Sequence, residues 1–168
     1  ILTGIPSVFI RTSGCNLRCS WCDTKYASWE PETDVLSIDA VVDQVQAYDS
    51  PYVVITGGEP TLQPDLAELT HRLKGIGKHI TIESNGTTYT HGISCDLISL
   101  SPKLAHSVAD ATQYPTEATL QEEQRIQVDA LRNWIDQTTY QLKFVVESNK
   151  DLSEIQDLLR QIDRDIPN

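Results

Sequence analysis

Methionine occurs nowhere in the 168-residue sequence, not even at position 1. The chain opens on Ile1-Leu2-Thr3-Gly4 and stops on Asp165-Ile166-Pro167-Asn168, a turn signal with nothing after it, so it reads as cropped at both ends. Positive charge is also scarce. Thirteen Lys and Arg against 24 Asp and Glu leave a net charge of −11, which argues against a nucleic-acid surface, since such a surface needs a basic face. No apolar run approaches the ~20 residues of a membrane-spanning helix, and no signal peptide opens the chain. Repeats, low-complexity tracts and linkers are missing, so residues 1–168 are expected to form one domain. The four histidines, His71, His79, His91 and His106, share no metal-ligand spacing and read as surface or structural groups.

Cysteine is sparse but concentrated. Cys15, Cys19 and Cys22 fall within eight residues, and Cys95 stands alone. Three thiolates on one loop suit one face of an iron–sulfur cube, for which Cys is the usual ligand. A [4Fe–4S] cube with three protein ligands keeps one iron open to bind and activate something. Two alternatives remain at this point. A structural zinc site wants four ligands, typically in two pairs, and no second pair accompanies these cysteines. A disulfide framework suits short secreted chains and would leave one of three crowded cysteines unpaired. Thiols that must stay reduced to bind metal place the chain in the cytoplasm. Cys95 reads as a small buried residue.

The rest of the chain alternates strands and helices. Ser7 to Arg11 is the first predicted strand, followed directly by the cysteine loop, and residues 25–36 look irregular. Ser37 caps a helix bearing Ile38, Val41, Val42 and Val45. Tyr52–Thr56 is a buried strand ended by Gly57-Gly58, and Pro64 starts a helix with Leu66, Leu69 and Leu73 on one face. Strands follow at His79–Glu83 and Leu97–Leu100, then a polar surface excursion over 103–118 and a helix over 119–136 with Val128, Leu131 and Ile135 inward. Tyr140–Val146 is the fifth strand, and Ile155, Leu158, Leu159 and Ile162 make the apolar face of a last helix. Such alternation predicts right-handed βαβ units: an α/β fold of the incomplete TIM-barrel kind, with parallel strands inside and helices outside. A sixth strand is expected beyond residue 168. In such barrels functional groups collect at the carboxyl ends of strands, where the cysteine loop, Gly57-Gly58-Glu59-Pro60, Ser84-Asn85-Gly86 and Ser101-Pro102-Lys103 all fall. Pro60 favours an extended or turn conformation at Glu59, which reads as scaffold and not as an acid catalyst.

The C-x3-C-x2-C loop, with Trp21 just before its last cysteine, resembles that of the radical S-adenosylmethionine (SAM) enzymes. Pro6–Arg11, Cys22-Asp23-Thr24, Thr56–Pro60, Glu83–Gly86 and Ser101–Lys103 follow in an order that resembles the 7-carboxy-7-deazaguanine synthase family along nearly the whole chain. The resemblance implies a [4Fe–4S] cluster on Cys15, Cys19 and Cys22, and SAM against Trp21, Cys22, Asp23, Gly57, Gly58, Ser101, Pro102, Lys103, Gln141 and Lys143. It implies Mg²⁺ on Thr24, and a pterin substrate against Arg11, Thr56 and Glu83. It also implies a radical ring contraction of 6-carboxy-5,6,7,8-tetrahydropterin with loss of ammonia, on the route to queuosine and related deazapurines. Further implications are an electron donor such as flavodoxin or ferredoxin, a homodimer, and substrate contacts before Ile1 and after Asn168. Two other readings compete: an activating enzyme that places a glycyl radical on a partner protein, and a zinc-stabilised, non-catalytic binding module.

Overall fold

The computed structural model describes residues 1–31 and 34–166. Five parallel strands form one sheet in sequential order: β1 (Val8–Thr12), β2 (Tyr52–Gly57), β3 (His79–Ser84), β4 (Leu97–Leu100) and β5 (Tyr140–Leu142). The helices are α1 (Lys25–Ser28), α2 (Ile38–Gln46), α3 (Leu66–Gly75), α4 (Pro115–Gln124), α5 (Val128–Gln137) and α6 (Asn149–Ile162). Strand order equal to chain order, with a helix crossing between most neighbours, is the arrangement of a partial TIM-like barrel.

The two faces of the sheet differ in chemistry, and this decides where the site lies. Alternate strand residues Val53, Ile55, Ile80, Ile82, Ile98 and Leu100 are buried against Val42, Val45, Leu69, Leu73, Leu131, Trp134, Leu158 and Ile162 of the helices. Burying each such side chain contributes about 1.5–3 kcal/mol, so the outer face carries the core. The alternate residues of the same strands point the other way. Register pairs Arg11 with Thr56, Glu83 with Ser99, and Ser99 with Gln141, which forms a polar row across the inner face.

Local signals explain most element ends. Ser37 Oγ accepts the Ala40 N–H at 3.2 Å and starts α2 as expected. Asp151 Oδ2 accepts the Ser148 N–H at 2.7 Å, closing the first turn of α6. Four expectations need correction. The segment expected to be irregular contains the short helix α1, with residues 32 and 33 of that segment outside the described residues. The helix expected from Pro64 begins at Leu66, because Gln63 is extended and its carbonyl accepts the Leu66 N–H. The helix expected over 119–136 is two helices. Pro115 sets the first turn of α4, and Gln127, with φ of −125° and ψ of 88°, is non-helical between α4 and α5, where Arg125 is anchored to Glu122, Glu154 and the Lys103 carbonyl. The fifth strand ends at Leu142 and not at Val146. Lys143 N–H still reaches the Leu100 carbonyl, but Pro102 on the neighbouring strand's exit has no N–H to continue a ladder.

The excursion over 103–118 is only partly a surface feature. Leu104, Ser107 and Ala109 are buried, and the Ser107 carbonyl accepts the Ser20 N–H at 2.9 Å, so this segment supports the cysteine loop from behind. The turn expected at 165–168 falls partly on residues 167 and 168, outside the described residues.

Candidate active site

One cavity of about 780 Å³ opens at the carboxyl ends of the strands. Its lining includes Arg11, Cys15, Cys19, Trp21, Cys22, Asp23, Thr24, Thr56, Gly57, Gly58, Glu83, Ser101, Lys103, Gln141 and Lys143. Every residue that the resemblance assigns to cluster, SAM, Mg²⁺ or substrate is therefore brought to one cavity, except Pro102, which is buried between Ser101 and Lys103. The volume is typical of a small-molecule site. Glu83 and Lys143 form an ion pair across the inner face, and Gln141 Nε2 donates to Ser99 Oγ at 2.8 Å. Arg11 lies over the Tyr26 ring, 5.9 Å from its centroid.

The cysteine loop is seated by backbone. Gly14 N–H donates to the Ala27 carbonyl at 2.8 Å, Glu59 N–H to the Gly14 carbonyl at 2.8 Å, and Gly58 N–H to the Thr12 carbonyl at 3.0 Å. These bonds sew the turn after β2 onto the loop after β1. A β-carbon at Gly58 would lie 2.1 Å from the Gly14 carbonyl oxygen and 2.4 Å from that of Ala27. At Gly57, with φ of +145°, it would lie 2.2 Å from the Thr12 carbonyl oxygen. Glycine is thus required here by close packing of two backbones, whatever ligand also approaches. The approach of SAM, which the family resemblance implies at these two glycines, is therefore not the sole reason for them. Gly58→Val is accordingly expected to do more than weaken SAM binding. It should unseat the cysteine loop and lower both iron uptake and the thermal midpoint, as calorimetry on the metal-free and reconstituted chains would measure. A variant with normal midpoint and iron content but weak SAM binding would restore the ligand-only explanation.

Glu59 is fully buried and holds the turn together. Its Oε1 accepts from Thr61 N at 3.0 Å, Thr61 Oγ1 at 2.7 Å and Ser84 Oγ at 2.8 Å, and its Oε2 accepts from Asn85 N at 2.6 Å. It joins the exit of β2 to the exit of β3, in agreement with its reading as scaffold.

Each candidate ligand sulfur has a donor or hydroxyl beside it. Leu17 N–H lies 3.4 Å from Cys15 Sγ, Gln121 Nε2 lies 3.5 Å from Cys19 Sγ, and Ser28 Oγ lies 3.1 Å from Cys22 Sγ. Asn85 Nδ2 lies 4.0 Å from Cys15 Sγ. Three thiols facing one cavity with polar neighbours at the sulfurs fit a thiolate-ligated cluster. Burial pushes the metal-free Cys15 thiol up to about 11 and raises that of Cys19 as well, so loading metal must displace protons. Lys103 Nζ donates to Ser101 O at 2.7 Å and to Ser101 Oγ at 2.8 Å, and lies 5.8 Å from the Trp21 ring centroid. Burial lowers the Lys103 ammonium below the usual lysine range. Thr24 precedes α1, yet its hydroxyl makes no capping bond; it lies 3.8 Å from Cys22 Sγ. Ser28, Asn85 and Gln121 were not singled out as site residues. Asn85 sat in a noted motif, whereas Gln121 lies in a polar stretch that carries no local signal.

Among the described residues, no three His, Cys, Asp or Glu side chains converge closely enough to hold a single metal ion. No described helix is long and apolar enough to cross a membrane.

Residues 9–123 match the sequence profile of the Radical SAM superfamily. The chain belongs to the radical SAM superfamily. Membership brings a [4Fe–4S] cluster and SAM as cofactors, which suits the thiol-lined cavity just described. Within the superfamily the chain is 44% identical over 163 residues to a 7-carboxy-7-deazaguanine synthase of Rhodopirellula baltica, covering 96% of this chain and 63% of that protein. It is 45% identical over 166 residues to the enzyme of that name from Halobacterium salinarum, covering 96% and 64%. The chain thus spans just under two thirds of the length of these curated relatives. Among solved structures, QueE from Escherichia coli superposes with a TM-score of 0.69 at 26% identity, covering 99% of this chain and 74% of that one. Archaeal TYW1, at 18% identity and a TM-score of 0.61, shares the fold over 95% of this chain and 60% of its own.

Cys95 lies outside this radical SAM site, packed against the helical core. Burial, with Asp96 beside it, pushes its thiol up to about 11 from an ordinary 9.0. A thiol whose folded value is raised favours the fold while protonated, so its contribution is complete below pH 9.0 and is lost as pH climbs to about 11. Cys95→Ala should therefore flatten the fall in stability across that window, as urea titrations at several pH values would reveal. Cys95 is half-buried and not fully buried as expected, and an unchanged slope would count against its being protonated there.

Proposed function

We propose that this chain is the cofactor-binding core of a 7-carboxy-7-deazaguanine synthase, acting as one domain on 6-carboxy-5,6,7,8-tetrahydropterin in deazapurine biosynthesis. The observation that carries the proposal is the environment of Thr24. Its hydroxyl is not used to cap α1, lies 3.8 Å from Cys22 Sγ, and faces the cavity that Arg11, Thr56 and Glu83 also line. A hard hydroxyl oxygen beside the cofactor suits Mg²⁺, which binds few protein groups and completes its shell with water and substrate oxygens. A glycyl-radical activase or a binding module would have no reason to hold Mg²⁺ at that hydroxyl.

Cys15, Cys19 and Cys22 would hold the cluster, and Trp21, Asp23, Gly57, Gly58, Ser101, Lys103, Gln141 and Lys143 would surround SAM, with Pro102 fixing the turn between Ser101 and Lys103. Bound there, these cofactors supply the abstraction of a hydrogen atom from the substrate. Arg11 would receive the substrate carboxylate, for which a guanidinium fork is suited. Glu83 would accept two N–H groups from the pterin edge, and its ion pair with Lys143 would have to open or be shared for this to happen. The barrel walls would exclude water and orient the ring. The proposal extends to a flavodoxin- or ferredoxin-type electron donor, a homodimer and a cytoplasmic setting. The need of the three ligand cysteines to stay reduced supports the last of these.

The test is product formation from 6-carboxytetrahydropterin with SAM, reductant and Mg²⁺ under anaerobic conditions. Thr24→Val should keep the cluster and SAM binding, lose the stimulation by Mg²⁺ and weaken pterin binding, while Thr24→Ser keeps much of the activity. Turnover indifferent to Mg²⁺ in the unmodified chain, or an equally responsive valine variant, would move the glycyl-radical activase ahead.

A further inference from the structure

Cys19 is tied to a side chain 102 residues away in sequence. Gln121, on α4, is 1% exposed, and its amide group is fully engaged. The Nε2 group lies 3.1 Å from Ser107 O, 3.2 Å from Ser107 Oγ and 3.5 Å from Cys19 Sγ, while Oε1 accepts the Arg18 N–H at 3.1 Å. The orientation of the amide follows from this last bond. A backbone N–H can only donate, so it must meet the amide oxygen, and the amide nitrogen is left facing the sulfur. Packing alone does not call for glutamine here. Burying an amide costs about 1–3 kcal/mol unless it is hydrogen-bonded, and an unbranched apolar side chain would fill the same space. The amide nitrogen carries two N–H groups, so one can serve the Ser107 oxygens while the other is directed at the sulfur. The other sulfurs have polar neighbours of different kinds. The Leu17 N–H belongs to the loop itself, and the Ser28 hydroxyl is divided between Cys22 Sγ and the Thr24 carbonyl.

We propose that Gln121 sets the reduction potential of the cluster by donating an N–H to the Cys19 sulfur. A metal-bound thiolate can only accept hydrogen bonds, and the electron added on reduction increases negative charge at the ligand sulfurs. A fixed N–H aimed at one of them stabilises the reduced state more than the oxidised state, which raises the potential. The inference rests on Cys15, Cys19 and Cys22 holding a cluster and not on the identity of the substrate.

The experiment is an anaerobic redox titration of the reconstituted chain, followed by optical and electron paramagnetic resonance spectra. Gln121→Met removes the donor without adding charge. Gln121→Glu keeps an acceptor for Arg18 N–H but turns an oxygen toward the sulfur. Both variants should have midpoints more negative than the unmodified chain, the glutamate variant further so, at equal iron content. Midpoints unchanged at full iron content would overturn the inference while leaving the cluster assignment intact. If the variants take up too little iron to titrate, the unmodified chain decides. With ¹⁵N in its glutamine side-chain amides, electron–nuclear double resonance on the reduced cluster should detect a coupled nitrogen. Gln63 and Gln141, also near the cavity, direct their amides to Ser13 O and Ser99 Oγ and not to sulfur. Absence of a coupled nitrogen overturns the proposal. An unmodified chain that binds no cluster overturns it together with the site reading.

Discussion

Alanine in place of Cys15, Cys19 or Cys22 is expected to abolish the iron–sulfur absorption and all SAM cleavage, while Cys95→Ala leaves both at the level of the unmodified chain. The first three thiols line one cavity with hydrogen-bonding groups close to their sulfurs, and Cys95 packs against the helical core. Removing one of three thiolates leaves two irons of a cube without protein ligands instead of one, and the cube is then held too weakly to persist. The loss should be complete for each variant and not graded, because the three ligands act as a unit. Iron and sulfide analysis after anaerobic reconstitution measures it directly. A Cys19 variant retaining a full, SAM-cleaving cluster would sink the assignment. Loss of the cluster in Cys95→Ala would bring the fourth cysteine into the site.

The second large effect is expected at Glu59, and on stability more than on chemistry. Glu59→Ala strands the Ser84 and Thr61 hydroxyls and the Asn85 and Thr61 N–H groups in a buried turn. Leaving buried donors unsatisfied costs about 1–3 kcal/mol each, partly offset by water entering the gap, so a net loss of about 3 kcal/mol or more is expected. Glu59→Gln should cost less, since one oxygen remains, but its amide nitrogen would face the Asn85 N–H. Urea denaturation gives the stabilities, and SAM cleavage per bound cluster gives the chemistry. If Glu59 is scaffold, the glutamine variant should cleave SAM normally once folded and loaded. A variant as stable as the original yet catalytically dead would instead make Glu59 a participant in the reaction.

The sequence on its own specified the alternation of elements, the parallel sheet and the rim on which the motifs gather. These depend on short-range information: period-two strands, period-three-to-four helices, glycine and proline at their ends, and cysteine spacing within one loop. The resemblance of those motifs to a known family added the cofactors and the residues around them. Three matters were decided only by tertiary structure. The polar row from Arg11 through Thr56, Glu83 and Ser99 to Gln141 exists because parallel register sets residues from different strands side by side, and no one strand's pattern contains it. The requirement for glycine at position 58 comes from the Gly14 and Ala27 carbonyls, which reach it only after β1 and β2 pair. Gln121 meets Cys19 because the 103–118 segment folds under the cysteine loop and brings α4 with it. A glutamine in a polar helix looks like solvent-facing surface until a loop from the opposite end of the chain buries it. Local spacing can reveal the ligands of a cluster, but the groups that hold and tune those ligands are neighbours in space alone.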